Sequence, residues 1–223
     1  MAYSDAKKLI DRTRAAAGSL GIAATWVNSR QPINMSTDFV YELYILFNLI
    51  LDLSKSYNIK YIPGNGNKRH MFPKKPANKS GRPKFEVYSK TTPPTLMWQI
   101  CSGTKVGDIV GMERAPDISF QKNNASDLPT ADDVELIWDG KFRTDNDDRI
   151  THQELAEFAR WLALLEIYKK LKPNIIMVKY FKMVANCLIT NGNESTEPNA
   201  ERDRLDLKEV ANYYPGEAFR VIP

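Results

Sequence analysis

Residues 134–143 read VELIWDGKFR, and this alternation constrains the chain more than any other stretch. As a strand, its period of two places Val134, Leu136, Trp138 and Phe142 on one face, and Glu135, Ile137, Asp139, Lys141 and Arg143 on the other. The even face belongs in a core. The odd face either meets water or sets an acid and a lysine side by side for chemistry.

The flanking sequence supplies partners for such a strand. A helix is expected from about Asp5 to Ala17, and a second from Thr37 to about Ser56, with Ser36 or Thr37 as N-cap. KFEVYS (84–89), LMWQICS (96–102) and ERAPDISF (113–120), the last entered through Pro116, read as strands separated by turn-forming sequence. Thr151 and Glu154 form a capping box that opens a helix running to about Leu171, apolar on most sides. NIIMVKYF (174–181) then reads as a buried strand, made parallel to 134–143 by a right-handed crossover. The tail from Asn191 is polar, with a short helix expected over 205–212. These elements describe an α/β chain with a central mixed sheet flanked by helices.

At 223 residues, one compact domain is expected over 1–223. There is no apolar leader-like region, and the most hydrophobic stretch, 39–53, is interrupted by Glu42, Asn48 and Asp52. No membrane partner is expected. Cys101 and Cys187 are the only cysteines and His70 and His152 the only histidines, which argues against zinc or a disulfide framework and fits a reducing cytoplasm. Net charge is +4, but eight basic residues and no acid lie between Lys60 and Lys84. Lys68, Arg69, Lys74, Lys75, Lys79 and Arg82 from this run either form a solvated loop or contact phosphates.

An acid followed two residues later by lysine occurs three times, at Asp5, Asp139 and Asp206. Only Asp139 and Lys141 fall in an expected strand, where residues two apart share a face; in a helix they diverge. They also have a partner in Pro116–Asp117, which opens another strand. Two carboxylates brought together by neighbouring strands repel unless a cation lies between them. Their hard oxygens suit Mg²⁺, and a lysine beside it can orient an attacking water and stabilise charge on a phosphate.

Pro116-Asp117 followed by Asp139-Gly140-Lys141, then a helix and the strand IIMV, resembles the PD-(D/E)xK nucleases, the restriction-endonuclease-like superfamily. The resemblance implies a restriction-endonuclease-like core over about 37–181, with a helical extension at 1–36 and a polar one at 182–223. It further implies a Mg²⁺-dependent DNA endonuclease of restriction, mobile-element or defence type, with Mn²⁺ able to replace Mg²⁺. Asp117, Asp139 and Lys141 then carry catalysis, with Glu42 as an added acid, and Asp117, Asp139, Glu42 and the Gly140 carbonyl hold the metal. Double-strand cleavage then needs a homodimer or a partner subunit. Gln153 matches a position where some members of the superfamily place a glutamine near the site. Two alternatives remain at this level: a non-cleaving nucleic-acid-binding subunit with the same fold, and an unrelated scaffold in which Asp139 and Lys141 form an incidental ion pair, Asp117 is a turn residue and Glu42 a solvated helix edge.

Overall fold

The computed structural model describes residues 3–22, 36–66, 69–107, 115–145, 147–166, 186–196 and 207–213. The elements are α1 (Tyr3–Ser19), α2 (Thr37–Ser54), β1 (Asn58–Ile62), β2 (Lys84–Tyr88), β3 (Leu96–Ser102), β4 (Ile118–Lys122), β5 (Val134–Lys141), α3 (His152–Leu164), β6 (Asn186–Thr190) and β7 (Leu207–Val210). The seven strands form one sheet in chain order. β1 to β5 are antiparallel, and β6 and β7 add to β5 in parallel. Among the described residues, no helix is long and apolar enough to cross a membrane.

α2 starts where Ser36 accepts a hydrogen bond from the Phe39 N–H at 3.4 Å. It is buried on most of its circumference, because the sheet lies on one side and α1 on another. Phe85, Val87, Trp98, Ile100, Ile118, Phe120, Leu136 and Trp138 form the sheet's side of this core, and Leu9, Ala16 and Ala17 the α1 side.

The opposite sheet face is divided. Under β5 and β6 it is apolar: Val134, Ile137 and Leu188 pack with Phe158, Trp161 and Leu162 of α3. Under β3 and β4 it is polar, with Gln99, Ser119 and Gln121 all buried. The segment carrying Lys79 covers that half.

Several expectations change. Val134 does not share a face with Leu136, because the β4–β5 pairing slips between Phe120 and Gln121, so that Phe120 pairs with Leu136 and Gln121 with Val134. The extra residue in β5 turns Val134 towards α3. Ile137, on the face expected to be polar, is fully buried. The parallel neighbour of β5 is 186–190; 174–181 lies outside the described residues. Residues 207–210 are a strand and not part of a helix, since pairing with β6 overrides local helix preference. The described part of α3 is 13 residues long and buries Phe158, Trp161 and Leu162 along one side.

A candidate active site at one end of the sheet

The antiparallel order brings the end of β3, the start of β4 and the end of β5 together. Ile118 pairs with Trp138, so Asp117 and Asp139 stand opposite each other just past that pair. Both lie on the face of Ser119 and Ile137, away from α2. They lie close enough for Asp139 to push the Asp117 carboxyl upward. Asp117 Oδ2 also accepts a hydrogen bond from the Gly140 N–H at 2.7 Å, which fixes Asp117 against the last turn of the pleat. The Lys141 ammonium forms an ion pair with Asp139 Oδ2.

Glu42 reaches this group from the other side of the sheet. Gly140 faces α2, and a Cβ built there would lie 2.8 Å from Ile45 Cδ1 and 3.7 Å from Glu42 Cγ. The missing side chain therefore lets α2 approach the strand end closely enough for Glu42 to interact with Asp139 and Lys141. Glu42 is not a solvated helix edge.

The charges are mutually frustrated. Burial, then Asp139, pushes the Glu42 carboxyl up to about 8, against the pull of Lys141. Burial, then Asp139 and Glu42, holds Asp117 well above the usual carboxylate range. Burial alone would depress the Lys141 ammonium, but Asp139, Asp117 and Glu154 outweigh it and hold the group above its ordinary value. Three acids thus share one lysine, and the excess negative charge is relieved by protons.

Beside Lys141, Arg143 pairs with Glu154, whose carboxylate also caps α3 by accepting from the Thr151 N–H at 2.9 Å. This pair was not singled out from the sequence, although Arg143 is two residues beyond Lys141 on the same face and Glu154 is the capping-box acid. Gln153 is exposed and its amide donates to Glu157 Oε1 at 3.2 Å, not to the acids.

The basic segment divides. Arg69, Lys74 and Lys75 are exposed, whereas Lys68 lies outside the described residues. Arg82 is half-buried and donates to the Met71 carbonyl at 3.4 Å. Lys79 is 4 % exposed, and its ammonium donates to Gln99 Oε1 at 3.1 Å, Gln121 Oε1 at 3.1 Å and the Ala125 carbonyl at 2.8 Å. The expectation of a phosphate contact from Lys79 is therefore corrected: its charge is enclosed by protein oxygens.

Among the described residues, no three His, Cys, Asp or Glu groups surround a point as a ready-made metal cage. The donor chemistry of Asp117, Asp139 and Glu42 nonetheless suits a hard divalent cation, which would take the place of the protons that burial favours on Asp117 and Glu42 and of the Lys141 ammonium on Asp139. No family model matches the chain, and neither a curated protein nor a solved structure matches it.

Proposed function

We propose that this chain is a Mg²⁺-dependent DNA endonuclease with a restriction-endonuclease-like active site. The carrying observation is the meeting of Asp117 and Asp139 on one sheet face with Lys141 on Asp139, at the end of the sheet from which the basic segment emerges. Asp117, Asp139 and Glu42 would hold the ion, with the Gly140 carbonyl, which in an extended strand leaves the chain on the same side as its N–H. Bound there, Mg²⁺ would supply Lewis-acid polarisation of the phosphate and a more acidic water.

The remaining work belongs to the chain's own groups. Lys141 stays charged beside Asp139, so it orients the attacking water and stabilises charge on the phosphate rather than accepting a proton. Glu42, which faces both Asp139 and Lys141, would give up its proton to the ion and serve as a ligand and a partner to Lys141. One such site cuts one strand, so double-strand cleavage calls for two copies or a partner nuclease.

The Lys141–Asp139 ion pair also favours a second reading, a non-cleaving DNA-binding subunit whose acids are neutralised internally. Incubation of supercoiled and linear DNA with and without Mg²⁺ separates the two. The nuclease reading expects Mg²⁺-dependent cleavage that slows by about a hundredfold or more in Lys141→Ala, the scale for losing one preorganised charge donor, and is lost in Asp139→Ala. Binding without cleavage under all conditions would leave the second reading.

A further inference from the structure

β1 ends and β2 begins at the sheet end that holds Asp117, with β3 between β2 and the strand that Asp117 opens, so the segment joining them starts and finishes at that end of the sheet. Its middle is tied there by backbone contacts. The Gly103 N–H donates to the Asp117 carbonyl at 3.1 Å, and the Ala77 N–H donates to the Gly103 carbonyl at 3.0 Å. The Lys105 N–H then donates to the Ala77 carbonyl at 2.9 Å, forming a short parallel clip between Ala77 and Thr104. Gly103 has φ +56°, and a Cβ there would lie 3.3 Å from the Pro73 carbonyl oxygen. A glycine is needed at this close crossing.

The two arms of the clip carry Lys74 and Lys75 on one side and Lys105 on the other, all exposed. We propose that these three lysines form a ridge that seats the backbone of duplex DNA at the mouth of the acid cluster, and that Lys79 is the buried anchor holding the ridge in place. The inference rests on the nuclease reading and deepens it. Lys79 follows the clip by two residues and runs under the segment onto the polar sheet face. Three oxygens hold its ammonium there, while its N–H donates to the Asp127 carbonyl at 2.9 Å. The ridge is thereby ordered before DNA arrives, and binding does not have to order it. With no acid between Lys60 and Lys84, the ridge offsets the negative potential of the acids for an approaching polyanion.

Duplex binding is measured by fluorescence anisotropy as a function of salt, on an Asp139→Ala background that does not cut. Each lysine on a phosphate adds about 0.9 to the slope of log affinity against log salt. Replacing Lys74, Lys75 and Lys105 by alanine should reduce the slope by about 2 to 3 units, so the reference loses roughly 40-fold more affinity than the triple variant across a fourfold rise in salt. Lys79→Met, checked to be folded by circular dichroism, should bind about tenfold more weakly with the slope unchanged, because an unanchored ridge must be ordered on binding. An unchanged slope in the triple variant would overturn the ridge while Mg²⁺-dependent cleavage by the wild type still upheld the nuclease. A slope lowered by Lys79→Met would make that residue a direct contact and overturn the anchor. Absence of duplex binding by the reference at any salt would overturn the ridge and the nuclease reading together.

Discussion

Glu42 links the site to stability. Its carboxyl keeps a proton up to about pH 8 in the native chain, against an ordinary value of 4.5, so between these limits the folded state binds more protons than the unfolded one. Stability therefore falls as pH rises through that window, and the raised Asp117 acts in the same direction. In metal-free buffer, urea unfolding of the wild type should show a loss on the order of 3 kcal/mol from pH 5 to pH 8, and Glu42→Gln should remove much of it and be the more stable protein at pH 8. A wild-type urea midpoint that does not fall with pH would mean that Glu42 carries no such penalty. Asp139 and Lys141 were legible in the sequence because residues two apart on a strand must share a face, and Asp117 because Pro116–Asp117 opens another strand. Glu42 was legible only through family resemblance, since its own helix pattern placed it at a polar edge. Lys79 was not legible at all: its neighbours in sequence are exposed lysines, and the oxygens that bury it come from Gln99, Gln121 and Ala125.

At the scale of elements, the strand end of β5 and the helix α2 meet because position 140 has no side chain. Gly140→Ala would place a methyl group 2.8 Å from Ile45 Cδ1, and overpacking of this kind costs about 1–2 kcal/mol. Ile45→Val removes the atom that clashes, at a cost of its own of about 1 kcal/mol. The double variant should therefore be more stable than the two single losses add up to, with a coupling of about 1 kcal/mol in a double-mutant cycle read by thermal unfolding. Strict additivity would mean that α2 does not rest on the strand at this point. The long alternating strand, the helix behind Ser36 and the capping box at Thr151 were readable because each carries a local signal that the tertiary structure leaves intact. β1, β6 and β7 were not: they have five, five and four residues, and unlike the equally short β2 and β4 they are not set off on both sides by turn-forming sequence. In so short a run period two cannot be distinguished, and LKEV at 207–210 favours a helix until β6 pairs with it. The slip at Phe120 likewise has no sequence mark, so the reversed face of Val134 could be seen only once the two strands were paired.

For the whole molecule, the acids come from three separated places in the chain, at Glu42, Asp117 and Asp139, and only the assembled sheet with α2 against it brings them together. An ion that requires all three binds the native state and not the unfolded one, so its affinity appears as added stability. Protons compete for the same oxygens, and the competition is strongest where Glu42 and Asp117 still hold theirs. Mg²⁺ should therefore raise the melting temperature markedly at pH 8 and little at pH 5, at matched ionic strength. At a free concentration about 100 times its dissociation constant the gain is about 2.7 kcal/mol, which for a chain of this size is on the order of 5–10 °C. Asp117→Asn combined with Asp139→Asn should abolish the gain at both pH values, since the amides retain the shape of the site but lose the charge that attracts the ion. A rise of the same size at both pH values would assign the effect to metal bound elsewhere on the chain, and no rise at pH 8 would leave the acid cluster as a store of protons with Lys141 as its permanent counter-ion.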